Sequence, residues 1–133
     1  MTELERAREY FKNDRYAYEL TGIEITEVRK HYAKVELDLE DRHMNAMNNV
    51  MGGVYFTICD FAFAVASNLD SEPCVTLGSH AIFMNKNKGS HLICEARCIK
   101  DGRRACFYEV NVTDEYDTEI ARVRVEGYRI LSK

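Results

Sequence analysis

The chain has 133 residues, enough for one domain that buries roughly two-thirds of its unfolded surface. Hydrophobic residues make up 46% and charged residues 30%, the balance of a globular protein and not of a disordered or fibrous one. A formal net charge of −4 excludes the basic footprint of a nucleic-acid binder, and the acidic, polar start Met1-Thr2-Glu3-Leu4-Glu5-Arg6 is unlike a secretory signal.

Leu4, Ala7, Arg8 and Phe11 recur at helical spacing, which predicts a short amphipathic helix over 3–12, stopped by Asn13 and Asp14. This helix lies in an N-terminal extension, residues 1–19. Ile23 and Ile25 alternate with Glu24 and Thr26, predicting a strand near 20–29. Ala33, Val35, Leu37 and Leu39 alternate with Lys34, Glu36 and Asp38, predicting a second strand beside it with one face toward water. Residues 40–51 are asparagine-rich and aperiodic, the mark of a loop. Gly52-Gly53 then opens a helix that runs to about Asn68 and is apolar on every side, as a fully buried helix is.

Asp60 stands alone inside that apolar run, with no lysine or arginine within a helical turn. A buried carboxylate there carries a desolvation penalty that nothing local offsets. Either it is a structural group satisfied by backbone amides or Thr76, or it works at a site, where such carboxylates are enriched.

After Pro73, a second β block begins. Cys74 to Met84 reads as a strand, and Asn85-Lys86-Asn87-Lys88-Gly89 as a turn. Leu92, Cys94, Ala96 and Cys98 alternate with Ile93, Glu95 and Arg97. Asp101-Gly102 signals a hairpin into a strand over Phe107 to Val112. Ala121, Val123 and Val125 mark a last strand over about 118–131. The five cysteines, Cys59, Cys74, Cys94, Cys98 and Cys106, form no Cys-x-x-Cys pair. Their odd number points to reduced thiols in a cytoplasmic protein, read as small core residues and not as metal ligands. No run is long enough to span a bilayer, which takes about 20 apolar residues. The pattern predicts a single α+β domain over 1–133, with antiparallel strands joined by hairpins and one helix on a single face. A helix apolar all round needs a strongly curled sheet or a second subunit to cover it.

The run His43-Met44-Asn45-Ala46-Met47-Asn48-Asn49-Val50-Met51-Gly52-Gly53, followed by Thr57-Ile58-Cys59-Asp60-Phe61-Ala62, resembles the signature of hotdog-fold acyl-CoA thioesterases of the phenylacetate-pathway (PaaI-like) branch. Asn45, Gly52, Gly53 and Asp60 match in spacing, and Thr76, Gly89, Gly102 and Arg103 fall at familiar positions. The resemblance implies a curled antiparallel sheet wrapped around one long central helix. It also implies hydrolysis of acyl-CoA to free acid and coenzyme A, with no cofactor beyond the coenzyme A of the substrate. One departure stands out: Met51 occupies the place of the family's histidine, and a thioether cannot donate a hydrogen bond.

Thioester hydrolysis needs a nucleophile or activated water, and a donor for the oxyanion. Asp60 supplies the first as base or nucleophile. The Gly52 N–H supplies the second, because the first amides of a helix have no intrahelical partner. These groups are eight residues apart, about 12 Å along one helix, while a reacting centre must sit ~3 Å from both. One chain therefore cannot supply both to one thioester, and a homodimer or homotetramer with antiparallel helices is expected. The catalytic set is Asp60, Asn45, Gly52 and Thr76, with Asn45 at the carbonyl or water and Thr76 holding the water. The substrate-binding set is Met51, Gly53, Lys86, Lys88 and Arg103, the cations meeting coenzyme A phosphates along with Arg104. No metal, nucleic-acid or membrane partner is expected. The rival reading is a non-catalytic acyl-CoA-binding module that has lost turnover with the histidine. A hotdog dehydratase would want a histidine in the pocket, and the helix offers none.

Overall fold

The computed structural model describes residues 1–131; the last two positions of the domain expected over 1–133 lie outside the described residues. The element order is α1 (Glu3–Phe11), a short π-helix (Tyr16–Thr21), β1 (Glu24–Arg29), β2 (Tyr32–Asp38), a single 3-10 turn (Asp41–His43), α2 (Gly52–Asn68), β3 (Cys74–Phe83), β4 (His91–Asp101), β5 (Ala105–Asp114) and β6 (Glu119–Arg129). Among the described residues the strands form one six-stranded sheet, ordered β1-β2-β4-β5-β6-β3, with every pair antiparallel. α2 touches all six strands. A flat sheet of this size is about 24 Å across and a helix about 10 Å, so contact with every strand requires the sheet to curl around the helix. This is the hotdog arrangement that the resemblance implied.

Period-two alternation builds the inner face. Ala33, Val35 and Leu37 of β2, Leu92, Cys94 and Ala96 of β4, and Ala121, Val123 and Val125 of β6 are all buried. They pack on Ile58, Phe61, Ala62, Phe63 and Val65 of α2, and the Phe63 ring meets Tyr108 edge-on at 5.2 Å. Gly127 leaves the gap into which the Cys74 and Cys106 thiols converge from the strands on either side of β6, 3.1 Å apart and unbonded. A Cβ at 127 would lie 2.7 Å from each sulfur and 2.8 Å from Phe63.

Two expectations need correction. β3 and β4 are not a hairpin: β3 crosses to the far edge and pairs with β6, because both of β4's sides are taken by β2 and β5. The strand expected near 20–29 begins only at Glu24, because a π-helix over Tyr16–Thr21 follows α1 and ends at Gly22. Gly22 is required there. Its φ is 89°, and a Cβ would meet the Arg42 guanidinium at 2.6 Å.

α1 starts at Thr2, whose hydroxyl accepts from the Glu5 amide, and docks through Ala7 and Phe11. Asp114 organises the opposite end of the barrel-like sheet. It is fully buried and accepts from the amides of Lys88, Gly89, Tyr116 and Thr118. Burial alone would raise its pKa, but these amides outweigh it and hold the carboxyl well below the usual range.

Candidate active site

The stripe of α2 that the sheet leaves open carries Gly53, Phe56 and Asp60, all exposed, with Thr57 half-buried among them. Spacings of three, four and seven residues put these groups on one helix face. Asp60 is therefore not buried on the single chain. The helix is apolar nearly all round, but the curled sheet, α1 and the π-helix cover only part of its circumference. Asp60 opens instead into a pocket of about 460 Å³ lined by Asp14, Arg15, Tyr16, Ala17, Phe56, Thr57 and Phe61. Crowding by these groups, and secondarily the charge of Asp14, push the Asp60 carboxyl above its ordinary range.

At the helix start, Met51 is the cap residue and no side chain caps the first turn. The Val54 amide turns back to the Met51 carbonyl at 2.9 Å. The amides of Gly52 and Gly53 have no hydrogen-bond partner among the described residues. They form an unsatisfied donor pair at the positive end of the helix dipole. The Met51 side chain lies over Gly53, and both line a smaller pocket of about 160 Å³ with Thr57, Tyr16 and His43.

The loop before the helix is built on Asn45. Its Oδ1 accepts from the amides of Met47 and Asn49, and its backbone amide bonds the Asn49 carbonyl at 2.7 Å. Asn48, at φ 60°, allows the tight reversal. Asn45 is thus a turn residue whose Nδ2 has no partner among the described residues and remains free to donate. His43 does not substitute for the missing histidine. Its Nδ1 accepts from the Glu40 amide at 2.9 Å, so Nε2 carries the proton and donates to the Thr21 carbonyl at 2.7 Å. Both nitrogens are committed, and the residue is 3% exposed.

The remaining expected residues scatter on the single chain. Thr76 is exposed on β3 opposite Gly127 and does not line the Asp60 pocket. Lys86 borders a pocket of about 340 Å³ with Asn49, Val50, Tyr55 and Phe83, beside the start of α2. Lys88 is exposed on the same loop, its amide held by Asp114. Arg103 sits in the β4–β5 hairpin near the other end of the helix. There the neighbouring Asp101 pairs with Arg129, which bonds the Ser67 carbonyl. Lys86 and Arg103 therefore lie toward opposite ends of a 17-residue helix. The structure also singles out Asp14, which sequence patterning presented as a helix stop. Nothing local in the sequence links it to Asp60; the pairing arises only when α1 folds back on α2.

The family model described as the thioesterase superfamily matches residues 47–121, a stretch that includes the start of α2, Asp60 and most of the sheet. The chain belongs to the thioesterase superfamily. A protein of Archaeoglobus fulgidus, named as a candidate esterase, is 32% identical over 129 residues, covering 96% of this chain and 83% of its own. Acyl-coenzyme A thioesterase PaaI of Escherichia coli is 24% identical over 127 residues, covering 95% of this chain and 90% of its own. The structure of the E. coli PaaI protein superposes with a TM-score of 0.89 over 98% of this chain and 96% of that one. A Streptococcus pneumoniae hypothetical thioesterase solved with coenzyme A gives 0.84 at 20% identity, over 92% and 98%. The PaaI-like resemblance read from the loop and helix of this thioesterase-superfamily chain is borne out. Among its described residues no helix is long and apolar enough to cross a membrane.

Proposed function

We propose that this protein hydrolyses acyl-coenzyme A thioesters to the free acid and coenzyme A, with Asp60 as general base or direct nucleophile. Membership of the superfamily makes it a hydrolase of the thioesterase class. The observation that carries the finer reading is the open stripe of α2. It presents an aspartate of raised pKa at one point and unpartnered amides at the helix start. The coenzyme A bound to the S. pneumoniae protein and the name of the E. coli relative support the ligand class.

As base, Asp60 takes a proton from water, and the hydroxide attacks the thioester carbonyl carbon. The oxyanion is held by the Gly52 N–H and the free Nδ2 of Asn45. The C–S bond breaks, and the proton passes from Asp60 to the departing thiolate. As nucleophile, the carboxylate attacks directly, expels the thiolate and forms an anhydride that water then opens. Met51 and Gly53 wall the entry; Lys86 and Lys88, beside the start of α2, meet the coenzyme A phosphates together with Arg103, which the antiparallel helices of the two-chain site bring across from the far end of the other chain's α2.

The 12 Å or so between Gly52 and Asp60 makes each site a product of two chains. Thr76 then holds water near Asp60 across that boundary. Val75 and Leu77 on the edge strand β3, with Phe56 on the open stripe, are exposed apolar groups that self-association would cover. A homodimer, alone or doubled into a tetramer, is the smallest active unit.

Met51 favours a second reading, an acyl-CoA-binding module without useful turnover, since its thioether donates no hydrogen bond. Thiol release from a panel of acyl-CoAs by wild type and Asp60→Asn separates the two. Loss of about 10²- to 10⁴-fold in turnover on substitution is the expected result. Tight binding with no turnover in either form means a module. Undiminished turnover in Asp60→Asn removes Asp60 from the reaction.

A further inference from the structure

The wall of the Asp60 pocket formed by Asp14, Arg15, Tyr16 and Ala17 lies outside the stretch matched by the family model. It is held there from both sides. Upstream, Phe11 of α1 is 3% exposed and stands edge-on to Phe61, the residue after Asp60, with ring centroids 6.2 Å apart at 89°. The chain then reverses through amide bonds from Asn13 to the Tyr10 carbonyl and from Asp14 to the Phe11 carbonyl. Downstream, the Tyr18 amide bonds the Asp14 carbonyl, and the π-helix is tied off where His43 grips the Thr21 carbonyl. Asp14 is therefore delivered to the pocket by fixed backbone, not by a loose tail.

We propose that Asp14 is a positioning residue that keeps Asp60 able to take up and return a proton, a role that rests on the reading of Asp60 as the base. Two carboxylates facing one pocket oppose each other's ionisation. The other charged or titratable groups facing Asp60 are Arg15 and Tyr16, from the same wall. Arg15 makes no ion pair among the described residues, so neither acid is held by a contacting cation. α2 itself contributes Phe56, Phe61 and Thr57, uncharged, and the Thr57 hydroxyl is spent on the Gly53 carbonyl at 2.7 Å. Crowding likewise raises the Asp14 carboxyl. With Asp14 in place, Asp60 is a stronger base once ionised. After taking the proton from water it is also protonated when the thiolate of coenzyme A needs it back.

The test is the pH profile of kcat/KM for wild type, Asp14→Asn, Asp14→Glu and Asp60→Asn, with coenzyme A release as the readout. The Asp14 side chain makes no hydrogen bond among the described residues, so the asparagine costs no cap and circular dichroism should be unchanged. In Asp14→Asn the acid limb moves to lower pH and the plateau falls; Asp14→Glu restores both. If Asp60→Asn abolishes turnover but the limb of Asp14→Asn does not move, Asp14 has no such role while the base assignment survives. If Asp60→Asn turns over normally, the base assignment fails and the proposal falls with it. Carbon-detected NMR titration of the Asp60 carboxyl gives an answer independent of turnover. A midpoint unchanged between wild type and Asp14→Asn overturns the inference.

Discussion

Replacing Gly52 by proline removes its N–H and puts a ring carbon in that place. Gly52 is the first residue of α2, a position that suits proline, because the amide there has no intrahelical acceptor in any case. The preceding Met51 has φ −63° and ψ 135°, the extended conformation that a residue before proline prefers. Met51 keeps both of its backbone bonds, its amide to the His43 carbonyl and its carbonyl from the Val54 amide. The new Cβ meets the edge of the Phe83 ring at 3.4 Å, a contact that a small ring shift relieves. The change in folding stability should stay within about 1 kcal/mol. Catalysis should respond far more. An oxyanion donor removed from such a site costs about 2.7–4 kcal/mol, or 10²- to 10³-fold in kcat. The assay is steady-state release of the coenzyme A thiol, run beside Gly52→Ala, which adds the same Cβ but keeps the N–H. Gly52→Ala should retain most of its turnover, while Gly52→Pro loses kcat with KM nearly unchanged. A kcat for the proline variant within a few-fold of the alanine variant's would refute the role of this amide.

Three further outcomes follow from the geometry. On the two-chain reading, Asp60→Asn and Gly52→Pro should each lose turnover alone and recover about a quarter of the wild-type level when refolded together in equal amounts, since one composite site in four would carry both groups; mixed dimers seen by mass spectrometry without recovered turnover would show that each site lies within one chain. His91 bridges Glu36 and Asp38, one to each ring nitrogen at 2.7 Å, and both carboxylates accept only from an imidazolium. These bonds, to Glu36 first and Asp38 second, raise the His91 pKa, so its stabilisation is full below about 6.5, its unfolded value, and fades as pH rises through the higher folded value. The gap in urea midpoint between wild type and His91→Gln should narrow in that direction; a gap that is flat with pH contradicts the pairing. Gly127→Ala should destabilise by about 1–3 kcal/mol in urea, because its methyl would overlap two sulfurs and the Phe63 ring; a loss below a few tenths would mean that this corner repacks freely.

Most of the sheet could be read from alternation, because a period of two maps directly onto two faces. Ala33, Val35 and Leu37 point inward as expected, as do Ala121, Val123 and Val125. Pairing order is not written in alternation, so nothing in Cys74–Phe83 revealed that it crosses to the far edge. The π-helix over Tyr16–Thr21 follows neither the strand nor the α period, so no pattern in the sequence marks it. Asp60, Asn45 and Gly52 were conspicuous for chemical reasons: an acid in an apolar run, an amide-rich loop and a glycine pair at a helix start. The side of α2 that carries Asp60 was not legible, since an almost uniformly apolar helix does not say which stripe its sheet leaves open. Asp114 carries no signal of its own, since an aspartate between Thr113 and Glu115 reads as a solvated turn. The amides of Lys88 and Gly89 that cage it arrive from a separate loop.

The bond from the His43 ring to the Thr21 carbonyl, with Arg42 Nη1 donating to the Leu20 carbonyl alongside, staples the beginning of the chain to the loop that carries Asn45. A version of the protein shortened to start after Thr21 would thus shed more than a cover over Asp60. The imidazole of His43 would lose its acceptor in a buried setting, and the asparagine loop would lose its anchor. Two regions that look separable along the chain behave, for an engineer trimming it, as one part.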